Sequence, residues 1–131
     1  MKKYIGIPYK INGYSFSGVN CYGLIWLIYK NELGIELGKY PHLPQDLREV
    51  AVFENYDKEG FELIHIFDLK DFDVVIFAYN NKVNHLGLYY DGRIFHIYND
   101  YSVAEPLSDN FKKRIRYIFR HRKLIKGIQE K

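Results

Sequence analysis

Residues 18–29 read Gly-Val-Asn-Cys-Tyr-Gly-Leu-Ile-Trp-Leu-Ile-Tyr and hold the only cysteine of the chain. The apolar run is long enough for several helical turns, Asn20 is a good N-cap residue, and Gly34 suits the position just after the helix. We therefore predict a helix from Asn20 to about Leu33, buried on more than one side because apolar residues surround most of it. A thiol in the first turn is close to unpaired N–H groups and the positive end of the helix dipole, which favour the nucleophilic thiolate. A small buried apolar residue is the more common role of a single cysteine, so this segment alone leaves both interpretations open.

The composition is that of one globular domain. The chain has 131 residues, of which 47% are apolar and 27% charged, so it can bury a core and is not of the disordered type. One cysteine excludes an internal disulfide framework, and the longest apolar segment, Leu24–Tyr29, is too short to cross a bilayer. We expect a single domain over residues 1–131, with a basic C-terminal tail from about residue 121 that could be mobile.

The net charge of +3 is unevenly distributed along the chain. Residues 110–131 hold nine Lys and Arg residues and one acid, Glu130. Such a tail could contact anionic cell-wall polymers or nucleic acid, or it could be a solvated strand edge and chain end. We expect no required nucleic acid and no membrane insertion. Pro8, Lys10 and Asn12 interrupt the start of the chain before any apolar signal core forms, so we expect no signal peptide and synthesis in a host cytoplasm.

The order of elements indicates an α+β domain. After the first helix and a loop with two prolines, an amphipathic pattern predicts a second helix from Gln45 to about Tyr56. From residue 60 the pattern becomes strand-like. We predict turns at residues 80–82 and 91–92, and strands at 61–66, 73–79, 83–90, 93–98, 102–107 and 114–120, the last as a half-exposed edge strand. Helices first and an antiparallel meander afterwards place the helices on one side of a central antiparallel sheet.

Two histidines are expected to meet on one face of this sheet. A two-residue turn at 91–92 pairs residue 90 with 93, 89 with 94 and 88 with 95, and then Gly87 with His96. His85 is diagonal to His96 and on the same face, with only the glycine between them. A cysteine nucleophile needs such a base within hydrogen-bond reach and a group that orients the base.

Other interpretations of these residues stay open. Either histidine could be a half-buried polar residue. Cys21, His85 and His96 could also be three zinc ligands, but a structural zinc needs a fourth ligand and the chain has no paired ligand spacing, so we expect no metal and no cofactor. The other three histidines have no assigned role, and Asp71 and Asp73 are expected to be solvated or to cap a strand.

Segments spread over residues 5–120 resemble, in the right order, the motifs of the NlpC/P60 cysteine peptidases. These segments are Gly6-Ile7-Pro8-Tyr9, Asn20-Cys21-Tyr22-Gly23-Leu24, Asp73-Val74-Val75-Ile76-Phe77, Asn84-His85-Leu86-Gly87-Leu88-Tyr89 and Ile94-Phe95-His96. The resemblance implies a papain-like α+β fold. It also implies hydrolysis of peptide bonds in bacterial cell-wall peptides, commonly the bond after D-glutamate.

The resemblance also implies roles for individual residues. Cys21 is the nucleophile, His85 the general base and His96 the orienting polar residue. Tyr9 lines the site near the oxyanion or the substrate. These positions make the nucleophilic interpretation of Cys21 the favoured one.

Two residues beside the cysteine differ from the usual family pattern. The family usually has Asp before the cysteine and often Ser after it, and here these are Asn20 and Tyr22. In relatives that trim short wall peptides, those side chains help to hold the free amine of the substrate. We therefore expect Asn20 and Tyr22 to contact the substrate or oxyanion with a different specificity.

These residues leave three alternative functions open. The first is a peptidoglycan peptidase that acts as a component of a phage tail, because Tyr22-Gly23-Leu24 resembles variants found in tailed-phage tail proteins. Its partners are then peptidoglycan peptides and other tail proteins, and its location is the virion tail. The second is a catalytically silent structural or assembly protein of a tail tip. The third is a papain-like amidase or acyltransferase.

Overall fold

The computed structural model describes residues 1–40, 56–79 and 83–129, with the backbone alone at residues 79, 83, 84 and 126–129. In chain order its elements are β1 (Tyr14–Ser15), β2 (Gly18–Val19), α1 (Cys21–Ile28), β3 (Phe61–Ile64), β4 (Val74–Tyr79), β5 (Val83–Tyr90), β6 (Arg93–Tyr98), β7 (Tyr101–Pro106), α2 (Asp109–Arg114), β8 (Ile115–His121) and α3 (Arg122–Gln129). A π-helical turn over Tyr29–Leu33 extends α1. The helix predicted for residues 45–56 and the turn at 80–82 lie outside the described residues, except that Tyr56 belongs to a turn.

Helix α1 has the predicted signals at both ends. The side chain of Asn20 accepts a hydrogen bond from the Gly23 N–H at 2.6 Å, and Gly34 has the left-handed conformation with φ 67°. All eight residues of α1 are buried, as its apolar circumference predicts. Gly23 allows this, because a Cβ at that position would fall on the carbonyl oxygen of Gly13. The first turn of α1 is therefore fixed by close backbone packing.

Six strands form the main sheet in the order β3-β8-β4-β5-β6-β7, and all described pairs are antiparallel. Alternate residues of β4 divide between two apolar clusters. Val74 and Ile76 pack in the larger cluster with α1, and Val75 and Phe77 pack in the smaller cluster with Phe111 of α2. Of the N-terminal helices, α1 therefore packs on one face of the sheet, and the short helix α2 near the C-terminus covers part of the opposite face.

Strand β8 is an interior strand, and the prediction of an edge strand is wrong. It pairs with β4 on one side, and β3 returns to pair with it on the other, from Phe61 opposite His121 to Ile64 opposite Ile118. The tail expected from about residue 121 continues as α3.

An ion pair allows Arg120, near the end of β8, to be buried. Arg120 donates to both oxygens of Asp73, at 2.9 and 2.8 Å. Asp73 is fully buried, so the solvated alternative predicted for it is wrong, and its Oδ2 also accepts a hydrogen bond from the Lys70 N–H at 2.9 Å just before β4. A buried charge needs such a partner, so the pair fixes β8 against the start of β4.

The β5–β6 hairpin has the predicted two-residue turn. Asp91 and Gly92 both have positive φ, 49° and 77°, as a type I′ turn requires. The pairs of residue 90 with 93, 89 with 94 and 88 with 95 are confirmed. The described ladder ends there, so the predicted pairing of Gly87 with His96 is not part of it.

Candidate active site

Cys21 is the first residue of α1 and is almost completely buried. Its residue exposure is 3%, and it packs among the apolar residues of the larger cluster. The amide groups of a first helical turn have no acceptor within the helix, and the helix dipole adds partial positive charge there. The Cys21 thiol and its own N–H therefore lie where negative charge is stabilised.

His85 and His96 lie on the same face of the sheet, as predicted, and both contact one aromatic ring. His85 is opposite Phe77 in the β4–β5 ladder, with 6.1 Å between ring centroids. The His96 ring is 5.2 Å from the same Phe77 ring. The space expected above Gly87 is filled, because a Cβ there would lie 2.6 Å from Ile94 Cγ2 and 3.2 Å from Phe77 Cε1. The two histidines are therefore brought together around Phe77 and not across an open glycine.

A charged network behind His96 was not identified from the sequence. His96 Nε2 lies 3.1 Å from Glu105 Oε1, and Arg114 Nη2 donates to Glu105 Oε2 at 3.3 Å. His96 Nδ1 lies 3.3 Å from the carbonyl oxygen of Ile97. The sequence signal for Glu105 was available, because a turn at residues 99–100 pairs His96 with residue 103 and puts residue 105 on the same face.

Both histidines are shifted toward the neutral form. Burial lowers the pKa of His85, and a positive charge on His96 lowers it further. Burial also lowers the pKa of His96, and this outweighs Glu105, which raises it. Near neutral pH each ring can therefore accept a proton.

Cys21 and Phe77, the ring beside both histidines, belong to different apolar clusters. Cys21 packs in the larger cluster, which includes Ile76 and Leu86, whereas Phe77 belongs to the smaller one. The structure thus brings His85 and His96 together around the Phe77 ring.

The start of α1 and the histidines nevertheless lie at the same end of the sheet. The N–H of Tyr9 donates to the carbonyl oxygen of Asp100 at 2.7 Å, in the turn that follows β6. Tyr9 also forms a bridge with Val19, two residues before Cys21. Strand β5 begins and strand β6 ends at this edge, so His85, near the start of β5, and His96, near the end of β6, lie at the same end of the sheet.

The three residues predicted to contact substrate differ in exposure. Tyr9 is half-buried. Asn20 is fully buried, and its Nδ2 has no hydrogen-bond partner in the described part of the chain. Tyr22 is also fully buried, and its hydroxyl donates to the Gly38 carbonyl oxygen at 2.6 Å. A substrate contact by Tyr22 would therefore require movement of the residues around it.

Neither a metal cluster nor a spanning helix is found within residues 1–40, 56–79 and 83–129. No three of their His, Cys, Asp or Glu side chains converge closely enough to hold a metal ion. None of their helices is long and apolar enough to cross a membrane.

Comparison with known proteins gives one family and several solved structures of similar fold. The model of the NlpC/P60 family matches residues 6–120. A structure described as similar to a lipoprotein of the NLP/P60 family, from Staphylococcus aureus, has 22% identity and a TM-score of 0.61 over 92% of this chain. The NlpC/p60 domain of the peptidoglycan hydrolase SagA has 20% identity and a TM-score of 0.60 over 90% of this chain. An NlpC/P60 family protein from Bacillus cereus has 23% identity and a TM-score of 0.57 over 90% of this chain.

These structural likenesses concern the fold. This chain covers 90% of the SagA domain, but 38% of the Staphylococcus aureus chain and 36% of the Bacillus cereus chain. A search of curated proteins found no match. The papain-like fold is therefore common to chains of different total length.

Proposed function

The chain belongs to the NlpC/P60 family, and on that premise we propose that it is a cysteine peptidase that hydrolyses peptide bonds in the stem peptides of bacterial peptidoglycan. The observation that carries the proposal is the position of the only cysteine, Cys21, as the first residue of the buried helix α1. One solved structure of this fold is the domain of a peptidoglycan hydrolase, which supports the substrate class.

The histidines support general-base catalysis from a neutral resting state. Because the pKa of His85 is lowered, its imidazole is neutral near pH 7 and can take the thiol proton as Cys21 Sγ attacks the substrate carbonyl carbon. His96 orients His85. The protonated His85 then gives its proton to the leaving amine as the C–N bond breaks. Water hydrolyses the resulting thioester, which releases the carboxylate and restores the thiol.

The start of α1 supplies the electrostatic part of this reaction. The N–H of Cys21 points out of the first turn and donates to the oxyanion that forms on the carbonyl oxygen. Asn20 directly precedes the nucleophile and Tyr9 bridges to Val19, and these two are the residues proposed to contact the substrate. Tyr22 supports them from the interior.

The proposal is tested by incubating the purified chain with sacculi and identifying the released muropeptides by mass spectrometry. We expect peptide-bond cleavage that is lost in Cys21→Ala and reduced about 10²- to 10⁴-fold in His85→Ala. The matched control is His65→Ala, because His65 is exposed and lies outside the site. If no wall type gives a product that depends on Cys21, the peptidase assignment is wrong. Products that carry a transferred acyl group would instead identify an acyltransferase.

A silent structural protein is the second candidate, and the burial of Cys21 favours it. The residue is 3% exposed and packs in a different cluster from Phe77, the ring beside both histidines. Alkylation by iodoacetamide separates the two candidates. An active site predicts reaction in the native protein, with a pH dependence that changes in His85→Ala. A silent core cysteine predicts reaction in denaturant alone.

The phage-tail setting is a separate part of the proposal. It rests on the resemblance of Tyr22-Gly23-Leu24 to variants in tail proteins. Proteomics of purified virions that encode the chain tests it, and absence of the chain from tails would remove this setting without affecting the peptidase assignment.

A further inference from the structure

Glu105 joins His96 to α2 on the second face of the sheet. Its Oε1 lies 3.1 Å from His96 Nε2, and its Oε2 accepts from Arg114 Nη2 at 3.3 Å. The His96 side chain is 1% exposed and the Glu105 side chain 37% exposed. A carboxylate only accepts hydrogen bonds, and a neutral imidazole has one N–H and one acceptor nitrogen. When His96 is neutral, the nitrogen that faces Glu105 therefore carries the proton.

Two elements hold the Glu105 carboxylate in place. In β7 it lies two residues beyond Val103, which is the ladder partner of His96, so both side chains share a face. From α2, Arg114 binds the second carboxylate oxygen, and its guanidinium lies over the Phe111 ring at 4.5 Å. The carboxylate is therefore directed at His96 by neighbours that themselves pack against the site.

We propose that Glu105 is a positioning residue that holds His96 as the Nε2–H tautomer and leaves Nδ1 as a hydrogen-bond acceptor. This inference rests on the proposed function, in which a neutral His96 orients His85 by accepting a hydrogen bond from it. The tautomer decides which nitrogen can do so. In this tautomer Nδ1 cannot bond the Ile97 carbonyl oxygen 3.3 Å away, because both atoms are acceptors, and it remains available to a donor.

The charges around His96 make the tautomer depend on Glu105. Burial and the Arg114 charge lower the pKa of His96, while Glu105 and the Ile97 carbonyl oxygen raise it. On the neighbouring strand β5, a positive charge on His96 lowers the pKa of His85. Without the Glu105 carboxylate, the Nδ1–H tautomer of His96 becomes the favoured one, because Nδ1–H can then donate to the Ile97 carbonyl oxygen. Loss of the carboxylate therefore switches the tautomer and removes the acceptor at Nδ1.

Two-bond ¹H–¹⁵N NMR spectra of the histidine rings test this directly at pH 7.5, with the His96 signals assigned from their loss in His96→Gln. We expect the Nε2–H tautomer in the native chain and the Nδ1–H tautomer in Glu105→Leu. Glu105→Gln keeps an acceptor oxygen and should retain the native tautomer. Glu62→Leu is the matched control, because Glu62 is an exposed glutamate on β3 and should leave the His96 signals unchanged.

The same variants are then assayed on muropeptides. With the peptidase active, Glu105→Leu should lower kcat at least about tenfold, with KM within about twofold, and Glu105→Gln should restore most of it. An Nδ1–H tautomer in the native chain, or the same tautomer in native and Glu105→Leu proteins, would overturn the role of Glu105. If Glu105→Leu does not fold, the native tautomer and Arg114→Gln, which frees one carboxylate oxygen, decide the question. An inactive native chain with the expected tautomers would instead contradict the proposed function alone.

Discussion

The two polar atoms of the Asn20 side chain, at the start of α1, have different surroundings. Its Oδ1 caps α1 by accepting from the Gly23 N–H, while its buried Nδ2 has no partner in the described residues. An N-cap stabilises a helix by about 1 kcal/mol, whereas a buried unpaired donor costs about 1–3 kcal/mol. This buried amide, directly before Cys21, is the group of Asn20 that we propose to contact the substrate.

Substitutions at Asn20 separate the two halves of this side chain. Asn20→Ser keeps a capping oxygen and removes the amide donor, so we expect stability equal to or above that of the native chain. Asn20→Ala removes both, and we expect it to be about 1 kcal/mol less stable than Asn20→Ser. Urea unfolding of the three proteins measures the difference. Equal stability of the Ala and Ser variants would show that the cap contributes nothing.

At the level of elements, the Arg120–Asp73 pair explains why a basic strand can lie inside the sheet. Arg120 makes two hydrogen bonds to Asp73 and a third to the Asp68 carbonyl oxygen at 2.7 Å. The pair links β8 to the residue before β4 and leaves neither charge unpaired. Strand β4 carries Phe77, which contacts both histidines, so the ion pair also fixes the support of the site.

Breaking this pair should be far more costly than removing an exposed charge from the same strand. We expect Arg120→Leu to lower the free energy of unfolding by about 3–5 kcal/mol, because it leaves the Asp73 charge buried and unpaired. Arg116→Leu is the control, because Arg116 is exposed on β8 and should change stability by less than about 0.5 kcal/mol. The double variant Asp73→Leu/Arg120→Leu should recover most of the loss. Urea unfolding checks all three, and similar losses for both arginines would contradict a buried-pair role.

For the whole molecule, local sequence signals predicted the helices and strands better than they predicted which of these elements pack against each other. Helix α1 and the β5–β6 hairpin follow from an N-cap asparagine and a two-residue turn, and the shared histidine face follows from the strand period. The interior position of β8 could not be read locally, because it depends on β3 pairing back across a long separation. Glu105 was missed for a related reason, since its role appears once β6 and β7 are aligned. Whether Cys21 meets the histidines is likewise a property of the packing of α1 and not of spacing.

Three histidines whose pKa is lowered by partial or full burial predict an acid-sensitive fold. Burial lowers the pKa of His85, His96 and His121, so the folded chain takes up these protons at lower pH than the unfolded chain, whose histidines titrate at about pH 6.5. Above that pH all three are neutral in both states and their contribution to stability is complete. As the pH falls below it, the unfolded state binds protons first, and stability decreases until the folded-state pKa is passed.

Comparison of the free energies of unfolding at pH 7.5 and 5.5 measures this loss. Ordinary carboxylates, with a pKa of about 4, stay mostly ionised at both pH values and contribute little to the difference. His121 suits the test, because it packs against Tyr29 and Phe61 and its Nδ1 accepts from the Lys123 N–H at 3.2 Å. His121→Gln can keep that acceptor without titrating, so its stability should fall less between the two pH values. The control His65→Gln changes an exposed histidine and should keep the native difference. Equal pH differences in all three proteins would mean that His121 takes up its proton as readily in the folded chain as in the unfolded one.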